Sequence, residues 1–277
     1  MLVQVYATAI TPTEFDWYPT FHSPEGGRRA FPIILGHEFS GVVEAIGTEG
    51  RGVQVGDRIY GLSDWFIDGA QAEYCLTVPA NIAPKPVTLE HTQAAAVPIS
   101  ALTAWQALMV RAQLSAGQRV LIHGAAGAVG IFAVQLARRQ GAHVIATASA
   151  ANTDFVKALG ADEVIDYQHT PFETVVADVD VVLDTVGGAT RNRSWGMLRK
   201  GGRLVTIAAD AEGSKERRVH DAFFIVEPNR DQLMDISRLI DAGVLRPVIG
   251  AVFSMVNVQK AYEQKPVRGK NVLRITE

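Results

Sequence analysis

Cysteine is nearly absent from this chain of 277 residues, which contains only Cys75. A single thiol excludes an intrachain disulfide, and it also excludes a zinc knuckle, which needs several cysteines. The sequence has no apolar run long enough to span a bilayer, and its first residues lack the basic and long apolar regions of a signal peptide. These absences predict a cytoplasmic protein with no membrane partner.

An excess of positive charge is also missing. The chain has 26 Lys and Arg residues against 29 Asp and Glu residues, for a net charge of -3. Its densest basic cluster, residues 215–218, includes Glu216 and is typical of a solvated loop. Because this balance attracts neither nucleic acid nor an anionic membrane surface, the predicted partners are small molecules.

The chain does contain a strand, a glycine-rich turn and a helix between residues 120 and 136. Residues 120–122 (VLI) are typical of a short buried strand, and Gly124, Gly127 and Gly130 follow at intervals of three. After the turn begins an apolar stripe at helical spacing, made of Val129, Phe132, Ala133 and Leu136.

This combination favours a diphosphate site. The start of a helix presents unpaired N–H groups and a positive dipole end, and glycine lets a pyrophosphate approach the backbone closely. The spacing is G-x-x-G-x-x-G, and Ala126 stands where the standard dinucleotide fingerprint has its second glycine. The predicted cofactor contacts are Gly124, Ala126, Gly127, Ala128 and Val129. A tight turn that binds no ligand is the alternative interpretation.

The hydrophobic pattern divides the chain into three segments. Short predicted strands at residues 2–9, 39–47, 57–62 and 70–78 favour a small barrel. From residue 118 strands and helices alternate, which predicts a doubly wound parallel sheet with helices on both faces. The predicted organisation is a dinucleotide-binding domain at 95–246, inserted into a barrel domain built from 1–94 and 247–277.

Several motifs carry a family resemblance. They lie at residues 36–43 (GHEFSGVV), 55–61 (VGDRIYG), 101–107 (ALTAWQA), 159–167 (LGADEVIDY), 184–188 (DTVGG) and 268–273 (RGKNVL). With the glycine turn, they make the chain resemble the zinc-free, quinone-oxidoreductase branch of the medium-chain dehydrogenase/reductase superfamily. The resemblance implies an α/β fold in which a Rossmann-type domain is inserted in a GroES-like catalytic β-barrel. Such relatives usually begin with a further hairpin before the first strand, and that segment is absent here, so either the barrel is reduced or the sequence starts late.

The resemblance also bears on whether the protein holds a catalytic metal ion. Residues 36–38 (GHE) resemble the motif by which zinc-dependent relatives hold a catalytic metal, but the family's cysteines are missing near residues 11–13 and 97–100. A catalytic zinc needs about three protein ligands. We therefore predict no metal, with His37 and Glu38 satisfied by hydrogen bonds and Cys75 in the barrel core. Zinc-dependent alcohol oxidation remains an alternative.

The choice of dinucleotide is predicted from the end of the second strand of the alternating region. An NAD-specific fold places an acid there for the ribose 2′-OH, but residues 148–153 contain neither an acid nor a basic partner for a phosphate. Ser149 and Asn152 can donate hydrogen bonds to a 2′-phosphate, and the resemblance places Tyr167 near it. The predicted cofactor is NADPH.

Other cofactor contacts are implied by the resemblance alone: Thr103, Thr185, Val186, Ile207, Ala208, Phe223, Phe224 and Lys270. Thr103 has the alternative of a buried helix hydroxyl. The two phenylalanines are read as part of an apolar strand, where core or dimer contacts are the alternative. The resemblance further implies a homodimer, for which residues 202–207 and 222–226 are the candidate edge strands.

The predicted reaction is hydride transfer from NADPH to a quinone or an α,β-unsaturated carbonyl, since a conjugated electrophilic acceptor needs no metal to polarise it. Tyr18 is the candidate proton donor or carbonyl partner, because it lies in the irregular aromatic segment at residues 13–27. Its aromatic neighbours, and Tyr18 itself, have the alternative of simply lining the substrate cleft. A non-catalytic NADPH-binding sensor or structural protein is the second class of function that remains open.

Overall fold

The computed structural model describes residues 1–47 and 52–276. Up to residue 105 it forms β1 (Leu2–Ala9), α1 (Tyr18–Phe21), β2 (Glu38–Ala45), β3 (Arg58–Leu62), β4 (Tyr74–Leu76), β5 (Ile82–Pro84), α2 (His91–Ala95) and α3 (Pro98–Trp105). The middle of the chain forms β6 (Arg119–Ile122), α4 (Ala128–Arg139), β7 (His143–Ala148), α5 (Thr153–Ala158), β8 (Glu163–Asp166), β9 (Val179–Asp184), α6 (Gly188–Ser194), β10 (Leu198–Thr206) and α7 (Arg217–Ala222). The last part forms α8 (Arg230–Asp241), β11 (Ile249–Ser254), α9 (Val258–Glu263) and β12 (Lys270–Arg274).

Contacts divide the chain into two compact units. The first unit comprises residues 1–102 and 227–277, and the second comprises residues 103–226. Both boundaries differ from the predicted ones, at 95 and 246. No helix formed by the described residues is both long and apolar enough to cross a membrane.

The first unit contains a mostly antiparallel sheet. In the described part of the chain its strand order is β11-β12-β1-β2-β3-β5, and β4 also pairs with β1. One edge of β1 is shared, because its first residues pair with β4 and its last with β12. The inward side chains build the core, which includes Val3, Val5, Phe39, Ile59 and Ile82. The strand predicted at residues 2–9 is confirmed as β1, in which buried Val3 and Val5 alternate with partly exposed neighbours.

The second unit contains a parallel sheet of order β10-β9-β6-β7-β8. Its central strand β6 has β7 on one side and β9 on the other, so the direction of strand succession reverses at the β6–β9 pair. Such a reversal leaves a crevice outside the carboxyl ends of the two strands, where ligands bind in this kind of sheet. The doubly wound parallel sheet predicted from the sequence is confirmed.

Helix α8 is the main correction to the predicted organisation. It was assigned to the dinucleotide domain, but it packs inside the first unit, where the Tyr60 hydroxyl donates to the Leu233 carbonyl at 2.7 Å. At its start, Arg230 donates to the carbonyls of Pro79 and Ile82 at 3.1 and 3.0 Å. Since periodicity marks an apolar face but not what covers that face, the sequence could not assign this helix to a unit.

The expected strand at residues 222–226 is also wrong. Helix α7 ends at Ala222, and the following segment makes a single isolated bridge between Phe223 and Thr206. The next backbone hydrogen bond, from Phe224 N to Thr206 O, is long at 3.4 Å. Pro228, which has no N–H, follows shortly afterwards and cannot extend a ladder. This segment is therefore extended chain beside β10 and not an edge strand available for pairing.

Candidate functional site

The glycine turn joins β6 to α4 in the second unit. Gly124 has a positive φ of 69°, which favours glycine, and its carbonyl accepts from Gly127 N at 2.9 Å. Gly127 is the N-cap of α4, so the unpaired N–H groups of the first helical turn follow it directly. The turn thus ends in the positive pole of a twelve-residue helix.

The glycine turn and the start of α4 form a glycine cradle, in which Gly124 and Gly130 pack too closely on neighbouring protein atoms to be replaced by other residues. A Cβ added at Gly130 would lie 2.3 Å from the carbonyl oxygen of Gly124, so α4 could not pack as closely on the turn. A Cβ at Gly124 would lie 2.3 Å from Oγ1 of Thr185, at the end of the neighbouring strand β9. Both distances are shorter than real Cβ atoms show, so Gly124 fits closely on the Thr185 side chain and Gly130 on the backbone of the turn, as in strand-turn-helix units that bind a dinucleotide diphosphate.

The predicted cofactor residues gather at one edge of this sheet. The carboxyl ends of the parallel strands are followed by Gly124 after β6, Ser149 after β7, Tyr167 after β8, Thr185 and Val186 after β9, and Ile207 and Ala208 after β10. Thr185 lies at the strand-order reversal, and its hydroxyl donates to the His123 carbonyl at 2.8 Å. The fold therefore brings these separate segments of sequence to the edge where ligands of such sheets bind.

Asp184 is a residue of this edge to which the sequence assigned no role. It is fully buried, and its Oδ1 accepts from the backbone N–H groups of Val186 and Gly187 at 3.0 and 2.9 Å. Its Oδ2 accepts from the Thr206 hydroxyl at 2.8 Å. One carboxylate thus fixes the ends of β9 and β10 together. The sequence carried no signal for this role, because Thr206 lies 22 residues away along the chain.

The loop after β7 is ordered by its own polar groups. Asn152 donates to Ser149 twice, from its backbone to the carbonyl at 2.8 Å and from its amide to the hydroxyl at 3.2 Å. Asp166, at the end of β8, accepts from the His169 ring at 2.5 Å. Hydrogen bonds to His169, Gln168 and Ala150 hold the pKa of the Asp166 carboxyl below its usual range. Asp166 lies outside residues 148–153, the segment in which the sequence shows no acid. Its carboxylate is engaged in hydrogen bonds that hold the loop.

Three further predicted contacts of the second unit are Thr103, Phe223 and Phe224, of which the two phenylalanines lie beside Thr206, the last residue of β10. Thr103 is 5% exposed in α3, and Phe224 is 5% exposed. The guanidinium of Arg111 lies 5.4 Å from the centre of the Phe224 ring. Phe223 makes the isolated bridge to β10. Contact of these side chains with a cofactor stays a prediction.

The remaining predicted contact, Lys270, forms a buried ion pair in the first unit. Its ammonium donates to Oε1 of Glu38, while Oε2 of Glu38 accepts from Ile99 N at 2.9 Å in the first turn of α3. Burial raises the pKa of the Glu38 carboxyl, and the positive charge of Lys270 opposes that effect. The pair gives Lys270 a structural partner that the sequence did not reveal, and its contact with a cofactor stays a prediction.

A second buried pair lies beside it. Oε1 of Glu14 accepts from Gly36 N at 2.8 Å and from Nδ1 of His37 at 2.5 Å. The Glu14 and His37 side chains are each only 1% exposed. Within residues 1–47 and 52–276, Nε2 of His37 has no hydrogen-bond partner. The sequence singled out His37 as a possible remnant of a metal motif, but Glu14 carried no recognisable signal.

These donors do not fit a catalytic zinc. No group of three or more His, Cys, Asp or Glu side chains in the described residues is placed to hold a metal ion. Glu38 is held by Lys270, and Cys75 lies in β4 within the core, where burial raises the pKa of its thiol to about 12. A thiol held in that state is a poor metal ligand.

Tyr18, the predicted proton donor, begins the short helix α1. Its ring stacks on the His22 ring with 4.2 Å between centroids, and the residue is 47% exposed. A catalytic role for this hydroxyl stays a prediction.

One unit of this chain has a glycine cradle at the strand-order reversal of a parallel sheet and the other has a mostly antiparallel sheet, a combination typical of dinucleotide-dependent oxidoreductases. The family models agree, since residues 1–98 match an alcohol dehydrogenase GroES-like domain and residues 159–273 match a zinc-binding dehydrogenase domain. The chain belongs to the quinone-oxidoreductase-like members of the medium-chain dehydrogenase/reductase superfamily.

Individual relatives agree with this assignment. The chain is 32% identical to the NAD(P)H oxidoreductase RTN4IP1, mitochondrial, of Danio rerio, over 100% of this chain and 84% of that protein. It is 30% identical to the 2-methylene-furan-3-one reductase of Solanum lycopersicum, over 90% of this chain and 63% of that protein. The solved quinone oxidoreductase of Coxiella burnetii has a TM-score of 0.89 and 30% identity, covering 99% of this chain and 90% of that chain.

Proposed function

We propose that this protein reduces a quinone or an α,β-unsaturated carbonyl with NADPH and without a metal. The observation that carries the proposal is the glycine cradle, in which close packing at Gly124 and Gly130 brings the unpaired N–H groups at the start of α4 directly after the turn. The names of the relatives, an NAD(P)H oxidoreductase and a reductase of a methylene-furanone, support the same class of reaction.

The edge residues support NADPH as the cofactor. The N-terminus of α4 receives the diphosphate, and Ser149, Asn152 and Tyr167 surround the position of the adenosine 2′-phosphate. No acid lies in the loop after β7, and Asp166 is held by hydrogen bonds to His169 and the loop backbone. A 2′-phosphate therefore meets hydrogen-bond donors there without an unpaired carboxylate.

Metal-free chemistry suits a conjugated acceptor. The nicotinamide supplies the hydride when bound, and the protein orients the acceptor, excludes water and supplies a proton. Zinc-dependent oxidation of an alcohol uses the metal as a Lewis acid, and among the described residues no group of three His, Cys, Asp or Glu side chains is placed to hold one. The zinc-dependent alternative is thus disfavoured by the chemistry of the donors themselves.

NADPH is expected to bind at least ten times tighter than NADH, a difference of about 1.4 kcal/mol in binding free energy. A fluorescence titration of the purified protein with each cofactor measures this ratio. Equal affinities for the two cofactors would contradict the assignment of the loop after β7.

The same titration tests the cradle. Gly130→Ala is expected to abolish NADPH binding, because its Cβ would meet the Gly124 carbonyl oxygen at 2.3 Å. Gly196→Ala is the matched control in the same unit, since a Cβ there has nothing within 4 Å. Unchanged NADPH binding by Gly130→Ala would show that the diphosphate does not lie on this turn.

A screen of NADPH oxidation with quinones, enones and aldehydes separates the remaining alternatives. Turnover with conjugated acceptors supports the reductase, whereas binding of NADPH without any turnover identifies a sensor. Stoichiometric zinc in the purified protein, with activity lost on chelation, would establish the zinc-dependent alternative.

The cytoplasmic location and the homodimer are also proposals. Strand β10 ends the parallel sheet of the second unit and is the candidate for pairing between two copies, whereas residues 222–226 are not a strand. Light scattering that gives the mass of a monomer would contradict the dimer.

A further inference from the structure

The loop after β7 lacks the positive charge that a 2′-phosphate normally meets. Residues 148–153 contain no Lys, Arg or His. In parallel sheets that bind NADP, a basic side chain near the end of the second strand accommodates the 2′-phosphate. Lys157 is the next basic residue along the chain, but it lies in the last turn of α5, away from the loop at the start of that helix. The segment around the loop therefore does not itself supply the cation.

The neighbouring strand brings a histidine to this loop. In the pairing of β7 with β8, Ala148 lies opposite Asp166, and Tyr167 N donates to the Ala148 carbonyl at 3.2 Å. The chain then turns, and the backbone N–H groups of His169 and Thr170 donate to the Asp166 carbonyl at 3.2 and 2.9 Å. This turn therefore lies beside the point at which the loop after β7 begins.

The Asp166 carboxylate joins the turn to the loop. Its Oδ2 accepts from Nδ1 of His169 at 2.5 Å, and its Oδ1 accepts from Gln168 N at 3.2 Å. The same carboxylate accepts from the backbone of Ala150, which lies in the loop after β7. Since two donors that share one carboxylate are near neighbours, the ring of His169 lies next to this loop.

The contact with Asp166 fixes which nitrogen of His169 faces a ligand. A carboxylate only accepts hydrogen bonds, so Nδ1 carries the proton shared with Oδ2. The His169 side chain is 77% exposed, so Nε2, on the side of the ring away from Asp166, is accessible. A second proton on Nε2 makes the ring an imidazolium, whose positive charge is attracted by Asp166 on one side and by a bound phosphate on the other.

We propose that His169, as an imidazolium held by Asp166, binds the 2′-phosphate of NADPH through Nε2 and selects NADPH over NADH. The inference rests on the proposed function and adds to Ser149 and Asn152 the cation that their loop lacks. Asp166 is a positioning residue, because it orients the ring and does not itself touch the phosphate. The sequence assigned no role to His169, since the residue that holds it reaches the loop only in the fold.

The first test is a fluorescence titration with NADPH and NADH at about pH 6.5, near which histidine changes its charge. His169→Gln is expected to weaken NADPH binding about tenfold, because a charge-assisted hydrogen bond to phosphate is lost. NADH has no 2′-phosphate, so its affinity should be unchanged. His169→Lys restores a positive charge at the same place and should keep the NADPH affinity within about threefold of the wild type.

His143→Gln is the matched control. His143 is a partly exposed histidine of the same unit, and its Nε2 lies 2.6 Å from the Glu163 carboxylate. This pair lies at the starts of β7 and β8, whereas His169 and Asp166 lie at the carboxyl ends of the same two strands. His143→Gln should therefore leave the affinities for NADPH and NADH unchanged.

Two effects would lower the NADPH affinity of His169→Gln: loss of the positive charge and exposure of the Asp166 carboxylate. Combining Asp166→Asn with His169→Gln separates them, because both charges are then removed. We expect this double variant to bind NADPH at least about threefold weaker than the wild type. Full recovery of the wild-type affinity would mean that His169 only masks Asp166, and it would overturn the proposal.

The adenosine end of the cofactor is a probe that needs no turnover. Titration calorimetry should show about a tenfold loss in the affinity of His169→Gln for 2′,5′-ADP and no change for 5′-AMP, which has no 2′-phosphate. Because salt screens an exposed charge, added salt should weaken 2′,5′-ADP binding more in the wild type than in His169→Gln. Equal salt dependence in the two proteins would contradict the proposal.

The outcomes distinguish this inference from the proposed function. If the wild type binds neither NADPH nor 2′,5′-ADP, the proposed function fails and the inference fails with it. If the wild type prefers NADPH and His169→Gln keeps that preference, the inference alone is overturned. A preference lost in Lys157→Gln and kept in His169→Gln would assign the cation to α5 and would also overturn it.

Discussion

At the scale of single residues, His123 is a buried histidine whose polar atoms are satisfied by the fold. Each of its ring nitrogens lies within hydrogen-bond distance of a hydroxyl group. Burial lowers the pKa of His123 to about 4. The folded protein therefore keeps this ring neutral where an unfolded chain protonates it.

This burial predicts a pH dependence of stability. The unfolded histidine takes up a proton near pH 6.5 and the folded one only near pH 4, so stability is present above pH 6.5 and is lost as pH falls towards 4. The loss attributable to His123 is about 3 kcal/mol in the free energy of unfolding. Urea denaturation at several pH values measures it.

His123→Asn provides the comparison, since it removes the titrating ring from the same buried position. The slope of unfolding free energy between pH 4 and 6.5 should be smaller in that variant. Identical slopes in the two proteins would show that His123 does not titrate differently on folding.

The glycine turn was predictable from sequence because its signal is local. Strand, turn and helix fall within one short stretch, and each has its own pattern. Glu14 and Asp184 were not predictable, because their partners lie 23 and 22 residues away and join them only in the fold. An acid in a loop or at a strand end carries no sign of such a partner in the sequence.

At the scale of elements, the buried pair of Glu38 and Lys270 joins three parts of the first unit. Glu38 begins β2, Lys270 begins β12, and the Glu38 carboxylate also holds Ile99 N in the first turn of α3. Breaking a buried pair leaves one charge uncompensated, which costs far more than the pair contributes.

Lys270→Met is expected to lower the free energy of unfolding by about 3–5 kcal/mol, because it leaves the Glu38 carboxylate buried without its counter-charge. Combining it with Glu38→Gln should recover part of that loss, since the neutral amide still accepts from Ile99 N. Denaturant unfolding of the wild type and of both variants measures the effect. A loss below about 1 kcal/mol in Lys270→Met would show that the pair is solvated.

The elements themselves followed from periodicity. Strand β1 was predicted at the bounds where it lies, and the alternating strands and helices after residue 118 all exist. The assignment of α8 to the dinucleotide domain was wrong, because this helix belongs to the first unit. The strand predicted at residues 222–226 was also wrong, because this apolar run makes one isolated bridge. In both cases the apolar pattern is present in the sequence, but tertiary contacts determine which part of the fold the apolar residues pack against.

At the scale of the whole molecule, the first unit is made from both ends of the chain. The second unit, which contains the parallel sheet, is made from the middle of the chain. The order of motifs along the chain allowed that plan to be predicted from the resemblance, although the boundaries were placed at other residues. The acceptor could not be predicted, because no polar constellation in the sequence names a substrate. The central claim is that the second unit binds NADPH and that reduction proceeds without a metal.

One measurement tests that claim most directly: the rate of NADPH oxidation by metal-depleted protein, with and without cyclohexenone or benzoquinone. We expect steady oxidation that depends on the acceptor and is unaffected by a chelator. No oxidation above the acceptor-free rate, or activity that returns only when zinc is added, would contradict it.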